Sequence, residues 1–362
     1  MKKLIFYLLF IIPILFSCNK KNEITIGAIL PLTGDAAQWG IPPQKAALLA
    51  VEEINANGGI NGKKIKLVIE DSQCDPSKGV AGINKLLSIN KPIAIVGAVC
   101  SSVTLAIAPI AEKNKIVLIS PASTNPQITN AGDYIFRVIP SDELRGKVFA
   151  EYVYSQSLKN GAILYINNDG GKGNEETFKK YFELNGGKIS IDESYMPQAQ
   201  SVKTQLTKIR EVNSEFLMVV SYPNDAVMVL KDISEIKFNK PLFFQTEALD
   251  DPTVLKNAGE TAENVVFITY AEADNGVSKN FKLAYKSKYN TEPELFAAEA
   301  YDAIYLISKA IKEGIDIKEY LYSIKNYSGA SGTLTFDING DVIKPLAIKQ
   351  VKGQTSEILE IK

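Results

Sequence analysis

Short Ile/Val-rich runs alternating with amphipathic stretches constrain this 362-residue chain more than any other feature. Residues 24–30, 65–69, 93–96 and 116–119 are apolar almost without a break. A strand of that composition needs cover on both faces, which a parallel sheet flanked by helices supplies. The intervening segments read as those helices. Pro42-Pro43 opens one whose Ala46, Leu49, Ala50 and Ile54 share a face, and Asn57-Gly58-Gly59 ends it. Residues 83–87 and 103–111 are amphipathic in the same way. Repeated βα units of this kind predict a doubly wound α/β domain.

The pattern starts again after Pro140-Ser141-Asp142, with strands expected at 162–166, 216–220, 242–244 and 265–268. Helices between them carry Phe178, Tyr181 and Phe182, then Leu206 and Ile209, then Val227, Leu230 and Ile233. After Thr269 the periodicity is helical over 281–289 and 297–311. Strands at 332–336 and 346–351 are expected to finish the chain as a hairpin, with Asp337-Ile338-Asn339-Gly340-Asp341 as the turn. Open α/β domains bind ligands at the carboxyl ends of their strands, so two of them facing each other predict a cleft.

The amino terminus bears on the compartment. Lys2 and Lys3 precede an uncharged apolar stretch, 4–16, which matches an export signal and is too short to span a bilayer. It ends in Leu15-Phe16-Ser17-Cys18 before polar Asn19-Lys20-Lys21-Asn22, a string that resembles a lipobox, although Phe16 is bulkier than usual at its position. Residues 1–18 are therefore expected to be a lipoprotein signal peptide. Cys18 would carry the lipid, which would be the chain's sole membrane contact, with the mature protein outside the cytoplasmic membrane. An ordinary signal peptide cut near Ser17, or an uncleaved anchor, is the alternative. In such an oxidising space Cys74 and Cys100 are an even pair, and a disulfide is the economical reading beside two free buried thiols.

Charge and composition exclude several classes. Lys plus Arg is 40 against Asp plus Glu 41, so no net field gathers nucleic acid. Histidine is absent, which rules out Ser-His-Asp and Cys-His nucleophiles and His-based zinc or iron sites. Carboxylate pairs and Ser-Lys dyads stay open in principle, and no motif points to either. The expectation is a protein that is not an enzyme and needs no cofactor or metal.

The strand-end loops carry the candidate ligand groups. Ser101 and Ser102 lie between the strand at 93–96 and a helix, where hydroxyls and unpaired N–H groups suit a carboxylate. Ser123 and Thr124 hold the same place after the next strand. Helix capping is the plainer role for all four. Tyr222 follows the strand at 216–220, and Glu247 follows residues 242–245. An acid at such a position is what a buried α-ammonium requires, though it also reads as a solvated loop acid.

The strings Ile26-Gly27-Ala28, Leu32-Thr33-Gly34, Gln38-Trp39-Gly40, the run 52–63, the run 70–76, Gly97 to Thr104 and Ser120-Pro121-Ala122-Ser123-Thr124 together resemble the leucine/isoleucine/valine-binding proteins. These are solute-binding components of ABC importers with the type I periplasmic-binding fold. The resemblance spans essentially the whole mature chain. It implies two doubly wound parallel-sheet lobes joined by a hinge, an amino-terminal lobe from 24–140 and 271–345, and a carboxy-terminal lobe from 141–270 and 346–362. It also implies a monomer that takes an amino acid, with ABC permease subunits as partners. Ser101, Ala122 and Thr124 stand where the family holds the ligand carboxylate, Ala122 through its backbone. Glu247 stands where it holds the ammonium, with Tyr222 at the matching spacing. Trp39 and Phe296 stand at its apolar wall, although Trp39 could equally be a core residue.

One loop departs from the family pattern. In Asn167-Asn168-Asp169-Gly170-Gly171-Lys172-Gly173, Gly170 takes the place of an aromatic that helps to hold the ammonium. Either Asp169 substitutes or the pocket is wider on that side, which bears on ligand choice. The loop is not a Walker motif, since the spacing and the following Ser/Thr are missing. The fold also serves receptors, so a ligand-sensing domain acting with a separate membrane partner is the alternative to transport.

Overall fold

The computed structural model describes residues 23–34, 36–246 and 248–362. Strands β1 (Glu23–Leu30), β2 (Lys64–Asp71), β3 (Ala94–Gly97), β4 (Val117–Ser120) and β5 (Ile135–Arg137) form a parallel sheet in the order β2-β1-β3-β4-β5. Helices α1 (Ala37–Ala56), α2 (Pro76–Lys85) and α3 (Ser101–Lys113) make the crossovers between its first four strands. Alternate residues of these strands are buried on opposite faces. Ile26, Ala28, Val96 and Ile119 pack with Ala46 and Ala50 of α1, whereas Ile29, Ile95 and Leu118 pack with Ile83, Val103 and Ile107. Two-sided burial is why these strands are apolar throughout.

The second series begins with α4 (Asp142–Ser155), followed by β6 (Asn160–Ile166), α5 (Asp169–Leu184), β7 (Lys188–Tyr195), α6 (Lys203–Glu211), β8 (Phe216–Val220), α7 (Pro223–Glu235), β9 (Leu242–Gln245), α8 (Pro252–Ala258) and β10 (Val266–Tyr270). One sheet face buries Leu164, Val219 and Phe244 against Leu206 and Leu230. The other buries Ile163, Met218 and Phe243 against Phe149, Phe178 and Phe182. From there α9 (Gly276–Tyr289), α10 (Ala297–Glu313) and α11 (Ile317–Ser323) return to the first sheet. Phe281, Tyr301, Ile304 and Ile307 join the core beneath α1. A small sheet of β11 (Tyr327–Gly329), β12 (Gly332–Phe336) and β13 (Val342–Ile343) follows, then β14 (Leu346–Lys352) and β15 (Thr355–Ile361) complete the second sheet, ordered β15-β14-β10-β9-β8-β6-β7.

Two local expectations are corrected. The strands at 332–336 and 346–351 do not pair with each other. β12 turns onto β13, while β14 lies antiparallel between β10 and β15. Pro345 offers no N–H to a ladder and keeps Lys344 extended, so β13 stops after two residues and the chain moves on to β10. Helix α1 begins at Ala37, not at Pro42, and Pro42 and Pro43 lie inside it. Gly40 permits this start, because a Cβ there would collide with the Pro31 backbone.

Candidate functional site

Strand order locates the site. In the first sheet β2 and β3 lie on opposite sides of β1, and in the second β7 and β8 lie on opposite sides of β6. The loops leaving β1 and β3 therefore diverge, as do those leaving β6 and β8, and each divergence leaves the crevice in which open α/β sheets bind ligands. The two crevices face each other. A cavity of about 370 Å³ lies between them, lined by Trp39 in the first turn of α1, Ser101 at the start of α3, and Asn168 and Tyr222 from the second crevice.

On the first-sheet side, Ser101, Ser102, Ala122 and Thr124 all reach the cavity. The N-cap of α3 is Cys100, whose carbonyl accepts the Val103 and Thr104 N–H groups at 3.0 Å and whose side chain caps nothing, so Cys100 leaves the Ser101 and Ser102 N–H groups at the helix start uncapped. Ser101 Oγ accepts the Asn125 N–H at 3.3 Å. The Ala122 N–H reaches Ser120 Oγ at 3.2 Å, an acceptor it shares with the Ser123 N–H at 2.8 Å. Ser123 itself does not reach the cavity. Its side chain is fully buried, 2.7 Å from Thr104 Oγ1 and donating toward the Ala98 and Val99 carbonyls at 3.0 and 3.1 Å. It braces the two loops from behind. Cys74 and Cys100 form a disulfide with a Cα separation of 5.5 Å, and both line the cavity.

On the second-sheet side, Tyr222 is the N-cap residue of α7, and its ring meets Trp39 edge-on with centroids 5.1 Å apart. This contact joins the two sides of the cleft. Tyr222 Oη donates to Asn168 Oδ1 at 3.2 Å. Gly170 makes that position possible, since a Cβ on it would lie 2.5 Å from Tyr222 Oη. The Tyr222 hydroxyl, arriving from the neighbouring loop, thus occupies the space beside position 170, where the resemblance implies an aromatic. Asp169 lines the cavity and is exposed. Glu247 and Cys18 lie outside the described residues.

Two charged residues of this wall were not anticipated. Asp225, in the first turn of α7, is buried beside the cavity, and desolvation raises its carboxyl above the ordinary range. Arg145 of α4 is buried too, with Nη2 donating to Asp142 Oδ1 at 2.7 Å and Asn174 Oδ1 at 3.1 Å. Its guanidinium lies over the Tyr270 ring, 5.5 Å from the centroid. A charged residue within a turn of a strand-end loop was the available signal for both. The apolar lining includes Trp39, Val99, Ile166, Leu295 and Phe296. Phe296 precedes α10 in left-handed backbone, φ 66°, a conformation an aromatic residue adopts only under constraint from its surroundings.

Two α/β lobes with switch-point loops facing across a shared cavity define a binding protein that holds its ligand between domains. The family model described as periplasmic binding protein matches residues 23–356, and the chain belongs to that family. It is 28% identical to the leucine-, isoleucine-, valine-, threonine- and alanine-binding protein of Pseudomonas aeruginosa, over 89% of this chain and 87% of that one. A leucine-binding protein of Thermotoga maritima superposes with a TM-score of 0.83 at 28% identity, covering 93% of this chain and 98% of that one. The branched-chain amino acid transporter substrate-binding protein of Streptococcus pneumoniae, solved with isoleucine, superposes with a TM-score of 0.80 at 30% identity, covering 93% and 99%. The family is one of extracytoplasmic substrate-binding proteins. Among the described residues no helix is long and apolar enough to cross a membrane.

Proposed function

We propose that this chain binds a branched aliphatic amino acid between its lobes and delivers it to an ABC permease, without chemistry on the ligand. The observation that carries the reading is one cavity whose lining brings Ser101, Ser102 and Thr124 from one lobe together with Tyr222 and Asp225 from the other and with the apolar Trp39, Leu295 and Phe296. Ser101, Ser102, Thr124 and the Ala122 backbone take the carboxylate. Glu247, with Tyr222, takes the ammonium. The aliphatic side chain lies against the aromatic wall, where its burial contributes about 1.5 to 3 kcal/mol. The names of the relatives in Pseudomonas aeruginosa and Thermotoga maritima support the ligand class.

The lobes are 24–140 with 271–345, and 141–270 with 346–362, and the protein works as a monomer that closes about the chain crossings between them. Lipid on Cys18 anchors it at the cell envelope; a Cys18→Ser protein that stays equally membrane-bound would argue against that anchor. A thermal-shift screen of the twenty amino acids followed by calorimetry tests the function. The expected outcome is stabilisation by leucine, isoleucine or valine with one site per chain. Stabilisation by none of the α-amino acids would overturn the reading.

A further inference from the structure

Asn125 stands where the two lobes meet beside the cavity, and each of its polar groups is committed. Its N–H donates to Ser101 Oγ at 3.3 Å, and its carbonyl accepts from Arg137 Nη1 at 2.9 Å. Arg137 is completely buried and fixed by Asp341, Nε to Oδ1 and Nη2 to Oδ2, both at 2.6 Å. The Asn125 side-chain oxygen takes the Gln127 N–H at 2.8 Å. Nδ2 then donates across the cleft to the Asp169 carbonyl at 2.9 Å. A donor on one side and an acceptor on the other admit one orientation of the amide. The facing helix leaves room for it, since a Cβ on Gly173 of α5 would lie 3.2 Å from both Asn125 Nδ2 and Pro126 Cδ.

We infer that Asn125 is a positioning residue that couples the carboxylate anchor Ser101 to closure of the cleft, without touching the ligand. The inference rests on Ser101 as a ligand contact. Because Ser101 Oγ accepts from Asn125, the serine keeps its own proton for the ligand carboxylate. Because Asn125 is outside the lining of the cavity, its bond to Asp169 favours the closed form equally for every ligand.

Asn125→Asp tests this. The variant keeps an oxygen for the Gln127 N–H but sets a carboxylate oxygen against the Asp169 carbonyl. Its Kd is expected to rise about ten- to hundredfold, by the same factor for each amino acid the wild type binds, mainly through faster dissociation. Gly173→Ala, which leaves Asn125 and its bonds to Ser101, Gln127 and Arg137 unaltered, is expected to act the same way in smaller measure. Binding within twofold of wild type in both variants overturns the coupling, and so does a factor that differs between ligands, because that would mark a ligand contact. If the wild type binds no amino acid, the functional reading fails separately and X-ray scattering of the ligand-free proteins decides. A larger radius of gyration for Asn125→Asp than for wild type supports the coupling, and equal radii overturn it.

Discussion

Gly170→Ala should separate binding from stability. A Cβ at 170 would lie 2.5 Å from Tyr222 Oη, closer than non-bonded atoms approach. The hydroxyl is the far end of a side chain, so the ring moves and the cost falls on what it touches. Its bond to Asn168 at 3.2 Å contributes about 0.5 to 1.5 kcal/mol. Its edge contact with Trp39, centroids 5.1 Å apart, contributes about as much again. The Trp39 contact spans the cleft, so its loss disfavours the closed form that holds the ligand. That loss alone, about 0.5 to 1.5 kcal/mol, gives roughly 2- to 13-fold weaker binding, whereas Asn168 and Tyr222 belong to the same series of elements and the loss of their bond falls on the fold. On the fold, loss of the Asn168 bond is offset by alanine's restriction of the unfolded chain, about 0.4 to 1 kcal/mol, because Gly170 lies in α5 without left-handed backbone, so melting stays near that of wild type. Calorimetry with the best amino acid from the screen, beside thermal melts of the ligand-free protein, reads both quantities. A variant that melts normally and binds within twofold of wild type refutes the reasoning, since Tyr222 would then have moved without consequence. Gly170→Tyr, which introduces the aromatic that the resemblance implies at this position, should weaken binding further while Tyr222 holds the space.

Glu247→Ala, if Glu247 is the partner of a buried ammonium, should weaken binding by about 3 to 5 kcal/mol, a hundredfold to a few thousandfold, with an unchanged circular dichroism spectrum. A folded variant that binds within threefold of wild type would make Glu247 a surface acid. Non-reducing peptide mapping should recover Cys74 and Cys100 as one linked pair, and Cys100→Ser should lose about 3 to 4 kcal/mol of unfolding free energy for a sequence separation of 26. Glu175 of α5 is buried, and desolvation, with Asp192 adding to it, pushes its carboxyl up to about 7. A folded-state value above the unfolded one means that its penalty is absent below about pH 4.5, grows as pH rises, and is complete above about pH 7. Glu175→Gln should therefore melt higher than wild type at pH 8 and no higher at pH 4, and equal melting curves at both would show that the carboxylate finds adequate solvation.

The strand series was legible because parallel strands covered on both faces leave little room for polar residues, as in 93–96 and 216–220. The carboxy-terminal pairing was not, because the turn at 337–341 serves β13 as well as it would serve β14, and the true partner of β14 is the distant β10. Ser101, Thr124 and Tyr222 could be found from their places at strand ends. Ser123 could not be told from Thr124, since neighbouring loop residues face opposite ways and only the path of the chain turns one toward Ala98 and the other toward the cavity. Asp225 was hidden by its position, because an acid in the first turn of a helix reads as a partner for the helix dipole.

Which strand-end loops meet depends on strand order, and strand order is non-local. The sequence marks each loop, but the crevices open where β3 leaves β1 and β8 leaves β6 on the side away from β2 and β7. The same non-locality explains Gly170. Taken along the chain, a glycine where the resemblance implies an aromatic reads as a missing group. In the folded protein the loops after β6 and β8 are neighbours, and the Tyr222 hydroxyl occupies the vacancy from the other loop. A ligand group recognised through that hydroxyl therefore depends on a pair of positions, one of which contributes only by having no side chain.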